Sequence, residues 1–220
     1  LTKYMMESGD ILDFSSVSGI KADKHSTGGV ADTVTLIAAP AAASCGVRII
    51  KMSGRGLGYS GGTIDKLSAI PGFTTDISKD EALKMSEKSG IVIMGQTDTL
   101  APADKKFYAL RDVTGTVESA PLIVSSILSK KLASGADTIV FDVKCGNGAF
   151  MKDINSAKSL ALQLTGISSM FGKKTAAVIS DMSQPLGMNI GNSLEVIEAI
   201  EVLKGNVEGD LYELSCLIGG

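Results

Sequence analysis

Short apolar, β-branched runs alternate along this chain with stretches of helical period. "VRIIKMS" (47–53), "GIVIMG" (90–95), "TIVFDVK" (138–144) and "TAAVIS" (175–180) have the continuous apolar character of strands buried on both faces. Between or after them, helical patterns run over about 29–44, 62–69, 79–89, 154–171 and 192–204. This alternation predicts an α/β fold, a mostly parallel sheet flanked by helices. Pro40 falls inside the first helical pattern and is expected to kink or shorten it. One stretch breaks the alternation: "PADKKFYALRDVTGTVESAPLIVSSILSKKLA" (102–133) reads as two helices with no strand between them. Ser119 suits an N-cap there, with Pro121 in the first turn that follows. The pair is read as an insertion that belongs to a small helical lobe. The expected division is therefore 1–15 as the end of that lobe and 16–100 as the first part of an α/β lobe. Residues 101–134 form the helical insertion, and 135–220 the second part of the α/β lobe.

Composition narrows the field. With 24 acidic and 21 basic residues the net charge is -3, which gives no electrostatic reason to expect nucleic acid or an anionic membrane as partner. Any anion bound here has to be held by local geometry. Three cysteines, Cys45, Cys145 and Cys216, lack metal-ligand spacing, and one histidine is too few for a zinc site. A reduced, cytoplasmic compartment is the expectation. No apolar run approaches the ~18 residues of a membrane span, and no signal peptide is visible. The first residues, "LTKYMMESGD", read as the end of a helix, and the last follow a helical pattern, so both ends are read as cuts.

Chemistry gathers in glycine-rich segments beside strands. "MSGRGLGYSGGT" (52–63) contains Gly56, Gly58 and Gly61, formally the spacing of a dinucleotide fingerprint. That reading needs a second strand ending in an acid about 20 residues on, and "DISKDEALKMSEKSG" is helical instead. What remains is a loop whose N–H groups can face an anion, bracketed by the hydroxyls of Ser53 and Thr63. A merely tight loop would use the same glycines. "KHSTGGV" (24–30) has a similar make-up: Lys24 and Ser26, glycines, then a helix start that favours negative charge, with Thr35 further along. Two such loops suggest one phosphate between them, and no Walker lysine loop is present. A third, "KCGNGAF" (144–150), also follows a strand. In the helical insertion, Ser126 and Lys130 are four apart and share a helix face, with Arg111 on the preceding helix. Together they offer donors to a planar, oxygen-bearing ring, although charged residues on helices are commonly just solvated.

"DKHSTGGVAD", "KMSGRGLGYSGGTIDKL", "APADKKFYALRDVT", "SKKLASGAD", "DVKCGNGAFM" and "ISDMSQPLG" occur in the order of the pyrimidine-nucleoside phosphorylases. The chain strongly resembles the central part of that family, which includes thymidine phosphorylase. The resemblance implies a substrate cleft between a small α lobe and a larger α/β lobe. It also implies reversible phosphorolysis of thymidine, uridine or deoxyuridine to free base and (deoxy)ribose 1-phosphate, and a homodimer for the full-length protein. By resemblance, phosphate-binding positions fall on Lys24, Ser26, Thr35, Ser53 and Thr63. Base-binding positions fall on Arg111, Ser126 and Lys130, with Tyr108, Leu57, Ile123 and Phe150 as apolar lining. His25 is implied to reach the base carbonyl, so that His25, Arg111 and Lys130 carry the catalysis. An imidazole near its ordinary pKa of ~6.5 would donate a proton close to neutrality, and the neighbouring cation pulls that value down.

No organic cofactor is implied, only inorganic phosphate as co-substrate. Some members bind a potassium ion, whose positions match Ala31, Thr33, Leu186, Asn189 and Glu198. The sequence departs from the family at Ala31, where glycine is usual, at Tyr59, where histidine is common, and in the Asn147 loop. The runner-up is an anthranilate-type phosphoribosyltransferase, although "DKHSTGGV" lacks the glycine-aspartate ending of a pyrophosphate loop. A non-catalytic domain that keeps the fold is the third reading.

Overall fold

The computed structural model describes residues 1–56, 61–116 and 119–220, and of Asp112 only the backbone. Among these, five strands form one parallel sheet: β1 (Lys21–Ser26), β2 (Arg48–Ser53), β3 (Ile91–Gly95), β4 (Thr138–Cys145) and β5 (Lys174–Asp181), in the order β3-β2-β1-β4-β5. Four of the strands lie where the apolar runs predicted them. β1 was not predicted, and it is the central strand. Its sequence, KADKHS, is polar, so it carries no apolar signal. It is buried because other segments supply partners for its charges.

The helices are α1 (Thr2–Met6), α2 (Val34–Ser44), α3 (Thr63–Leu67), α4 (Lys79–Ser89), α5 (Pro102–Thr114), α6 (Ala120–Ala133), α7 (Ile154–Met170), α8 (Asn192–Leu203) and α9 (Asp210–Gly219). α2 starts five residues later than its pattern suggested. Asp32 accepts the N–H of Val34 at 3.3 Å and Ala31 takes a positive φ of 54°, so the residues before Thr33 form a loop. Pro40 does not end the helix, which continues to Ser44. At α4, Ser78 and Glu81 form a reciprocal capping box, and Gly90 closes the helix in the left-handed region. Ser119 stands at the cap position of α6 without a side-chain cap bond.

Register separates the two faces of β4. Val140 joins the core that α2, α8 and α9 share, while Ile139, Phe141 and Val143 pack against α6 and α7 through Val124, Leu128, Leu160 and Leu164. α6 therefore has two roles. It packs on α1 and α5, and it also buries one face of β4. A third core lies around Phe14, Ile50, Met52, Val92 and Met94, capped by Ala82 of α4.

The connections place the site. From β1 the chain steps outward to β2 and β3, then returns through α5 and α6 to the other side of β1, where β4 and β5 follow. The strand order reverses between β1 and β4. In open parallel sheets the carboxyl ends of strands at such a switch point form a crevice that binds ligands.

Candidate active site

At that crevice β1 presents Lys24, His25 and Ser26, paired in register with Val140, Phe141 and Asp142 of β4. Successive strand residues point to opposite faces, so Lys24 and Ser26 share one face with Asp142 while Asp23 and His25 share the other with Phe141.

On the first face two lysines meet two carboxylates. Lys24 Nζ is 2.9 Å from Asp142 and 3.9 Å from Asp32, and Lys144 Nζ is 2.8 Å from Asp142 and 3.9 Å from Asp32. Ser26 Oγ donates to Asp32 at 2.5 Å and accepts from Gly28 N–H at 3.1 Å, and Ser180 Oγ donates to Asp142 at 2.6 Å. Burial alone would lower the Lys24 pKa, but Asp32 and Asp142 overcome it and hold the ammonium above its ordinary value. Asp32 in turn is desolvated, yet Lys24, Lys144 and the Ser26 hydroxyl hold its carboxyl far below the usual range.

The opposite face is rich in cations. Lys131 of α6 donates to Asp23 and to the Met52 carbonyl, both at 2.7 Å, and Lys51 lies 3.7 Å from Asp23. His25 meets Phe141 edge to face at 6.3 Å between centroids. Burial, then Lys131, Lys51, Lys130 and Lys24, push the His25 pKa well below its ordinary 6.5. The lowering expected from the neighbouring Lys24 is thus joined by burial and three further lysines, all of which favour the neutral ring. Burial and Lys131 likewise bring Lys51 down to about 7, against the pull of Asp23.

The helical pair completes this side. Lys130 donates to Ser126 Oγ at 3.0 Å and to the carboxylate of Asp104, buried in the first turn of α5. Arg111, also buried, stacks over Tyr108 at 5.4 Å and is near enough to Lys130 to lower its pKa, although burial is the larger cause. Ser126 and Lys130 thus share a face as predicted, with Arg111 in their electrostatic range.

The glycine-rich loop after β2 is described only outside residues 57–60. The N–H groups of Gly56 and Gly62 both donate to Asp65, at 2.6 and 2.9 Å, and Arg55 adds a third bond at 2.9 Å. Desolvation would raise the Asp65 carboxyl, but those donors hold it below its usual range. An internal carboxylate occupies these amides. Ser53 ends β2 and Thr63 opens α3, both half-buried, and Thr35 is buried in the first turn of α2. Leu57 and Tyr59 lie outside the described residues. Ile123 is half-buried against the α6–α7 core, whereas Phe150 is 58% exposed.

Two contacts involve the positions matched to potassium. Leu186 N–H bonds the Val30 carbonyl at 3.2 Å, and Glu198 accepts the N–H groups of Met188 and Asn189 at 2.7 and 3.1 Å. Thr33 Oγ1 is buried without a hydrogen-bond partner among the described residues. Ala31 holds the left-handed conformation that favours glycine, which accounts for the usual family residue there.

Sequence reasoning missed Asp32, Asp104, Lys131, Asp142 and Lys144. One signal was present: in "FDVK" two charges alternate with apolar residues inside an otherwise apolar strand. Among the described residues no helix is long and apolar enough to cross a membrane, and no cluster of three or more His, Cys, Asp or Glu is placed to hold a metal.

A family model described as "Glycosyl transferase family, a/b domain" matches residues 18–216. The pyrimidine-nucleoside phosphorylase of Geobacillus stearothermophilus is 59% identical over 219 residues, 100% of this chain and 51% of that protein. That of Bacillus subtilis (strain 168) is 58% identical with the same coverage. The chain spans about half the length of the curated relatives it matches. Among solved structures, anthranilate phosphoribosyltransferase from Thermus thermophilus superposes with a TM-score of 0.70 at 19% identity, over 99% of this chain and 70% of that one. The enzyme from Saccharomyces cerevisiae gives 0.57 at 15% identity, over 80% and 45%. At these identities the likeness is one of fold.

Proposed function

This chain belongs to the glycosyl transferase family, a/b domain, and on that premise we propose that its protein phosphorolyses pyrimidine nucleosides reversibly to free base and (deoxy)ribose 1-phosphate. One observation carries the reading. At the switch point β1 turns a charged lysine to one face and a neutral histidine to the other, where Lys130, Ser126 and Arg111 gather. That separation suits a reaction with an anionic nucleophile on one side of a sugar and a base leaving on the other.

In this reading Lys24, Ser26, Thr35, Ser53 and Thr63 hold phosphate. To bind it, Ser26 turns its proton from Asp32, and the Lys24 ammonium shares itself between phosphate and Asp142. A phosphate oxygen then forms the new C–O bond at the anomeric carbon, and the glycosidic C–N pair departs with the pyrimidine. His25 N–H, the Lys130 ammonium and the Arg111 guanidinium stabilise the charge that develops on the base oxygens. Tyr108, Leu57, Ile123 and Phe150 are assigned to the base pocket, which requires Phe150 to leave its exposed position. Ala31, Thr33, Leu186, Asn189 and Glu198 are assigned to a potassium ion, for which the partnerless Thr33 hydroxyl is suited. The ion would supply a fixed charge that ties the 30–33 and 186–189 segments together. A homodimer is the assembly proposed for the full-length protein.

The test is release of free base from thymidine, uridine and deoxyuridine by the full-length protein, with and without inorganic phosphate. Phosphate-dependent release is expected. No release from any nucleoside, or transfer only from a phosphoribosyl pyrophosphate donor, overturns the reading.

A further inference from the structure

Outside the residues assigned so far, one buried cation touches three separate segments of the chain. Lys66 lies on α3 and is 2% exposed. Its ammonium donates to the Asp32 carbonyl at 3.1 Å and to the Gly61 carbonyl at 2.7 Å, and it stands 3.1 Å from the Glu195 carboxylate. Two of its protons have separate destinations, one in the loop after β1 and one in the loop after β2, and the carboxylate in the first turn of α8 faces the same ammonium as an ion pair. Glu195 is itself held, since its other oxygen accepts Gly191 N–H at 3.0 Å. The Gly61 backbone also presses on α8, where a Cβ would come within 2.3 Å of Asn192 Oδ1.

The geometry points to Lys66 as the residue that sets the distance between the two loops assigned to phosphate, an inference that rests on the function proposed above. Two carbonyls bonded to one nitrogen cannot stand further apart than the two bonds laid end to end. Each carbonyl neighbours assigned ligands. The Asp32 peptide carries the carboxylate that orients Lys24 and Ser26, and it leads through Thr33 to Thr35. Gly61 precedes Thr63 by two residues. Lys66 has no exposed surface with which to meet a ligand of its own, so it is a positioning residue. Ligand geometry held within a fraction of an ångström decides whether several donors meet one anion together. Releasing one loop from the other therefore weakens phosphate more than it weakens nucleoside, whose base contacts lie on α5 and α6.

The experiment compares Lys66→Met and Glu195→Gln in the full-length protein, reading KM for phosphate, KM for nucleoside, Tm and direct calorimetric binding of inorganic phosphate. For Lys66→Met, KM and Kd for phosphate should rise about tenfold or more, the size of one lost bond to a charged group, while nucleoside KM moves less than about threefold. Glu195→Gln removes the buried anion but leaves both carbonyl bonds. It should lower Tm while phosphate KM stays within about threefold of wild type. Parallel rises in both KM values, an unchanged phosphate KM in Lys66→Met, or an equal phosphate defect in Glu195→Gln each overturns the assignment. Should Lys66→Met fail to fold, Lys66→Gln replaces it under the same criteria, with a phosphate defect expected and its absence overturning the idea. Wild-type protein that binds phosphate but cleaves no nucleoside refutes the proposed function and leaves the Lys66 test intact through binding alone.

Discussion

Lys24 and His25 are adjacent in sequence and live in opposite fields. The face that takes Lys24 is furnished with Asp32 and Asp142, which keep its ammonium charged despite burial. The face that takes His25 is furnished with Lys131, Lys51 and Lys130, which together with burial keep its imidazole neutral. A single strand can do this because its side chains alternate. The lesson is that the charge state of a residue at this site is set by the side chains that neighbouring strands, loops and helices bring to it, more than by its neighbours in sequence. Such buried pairs are expensive to assemble and costly to break from one side, which suits a role in fixing geometry better than one in stability.

The largest effect should come from removing the cation of the first face. Lys24→Met deletes the charged donor and leaves Asp32 and Asp142, with only Lys144 to offset them, near an incoming dianion. We expect kcat/KM for phosphate to fall about a thousandfold, ~4 kcal/mol, with nucleoside affinity far less affected. Initial rates at varied phosphate decide it, and a phosphate KM near wild type would remove Lys24 from the phosphate site. On the other face, Lys130→Ala and Arg111→Ala should each lower kcat/KM for nucleoside about a hundredfold, ~2.7 kcal/mol, because their contacts strengthen as the base gains charge. Phosphate binding should barely move. Damage confined to phosphate would show that the two faces do not divide the substrates.

How far this division was legible beforehand follows from what each part of the chain advertises. β2, β3, β4 and β5 are apolar, and the local pattern placed them within a residue or so at most of their ends. β1 is the exception, because the buried Asp23 and Lys24 at the centre of KADKHS depend on partners that include residues far away in sequence: Lys131 reaches Asp23 across 108 residues. Local periodicity carries no trace of such a pairing. The same limit applied to the site. Lys24, Ser26, Ser53 and Thr63 stood out beside glycine-rich loops, and Ser126 with Lys130 by helical spacing. Asp32, Asp65 and Lys66 did not, because one carboxylate or ammonium in a loop looks like any solvated charge until the fold closes around it. At the glycine-rich loop read as facing an external anion, Asp65, only three residues past Gly62, takes the amides of Gly56 and Gly62.

A smaller effect tests the cation-rich face through stability. Lys51 has its pKa lowered from 10.5 to about 7 by burial and by Lys131. The unfolded chain therefore holds that proton more tightly than the folded one. Between about pH 7 and 10.5 unfolding takes up a proton, so stability should rise with pH across that window, by at most about 1.4 kcal/mol per pH unit. Below pH 7 both states are protonated and the slope vanishes. In Lys51→Met the rise should be missing, as read from urea midpoints at a series of pH values. An unchanged slope in the variant would mean that Lys51 does not lie in the field described here.

The smallest effect expected is an absence, and it tests the same face most directly. If His25 acted as a proton donor, kcat/KM for nucleoside would break near the ordinary imidazole value as the proton was lost. Burial and four lysines depress that value well below 6.5, which favours the neutral ring at neutral pH. The profile should show no inflection from His25 between about pH 6 and pH 7.5. A neutral ring contributes one N–H to the base oxygen, and a glutamine amide carries a similar donor. His25→Gln should therefore lose only about tenfold, and His25→Ala about a further fivefold to tenfold, the scale of one neutral hydrogen bond. Acid adds a second reading of the same sign. Below about 6.5 the unfolded chain takes the proton first, so lowering the pH should weaken the fold instead of activating the site. An acid limb near 6.5 that vanishes in His25→Gln would show the imidazole to be charged in the resting enzyme. The cations around it would then have to be screened or turned away, and the contrast between the two faces of β1 would fail.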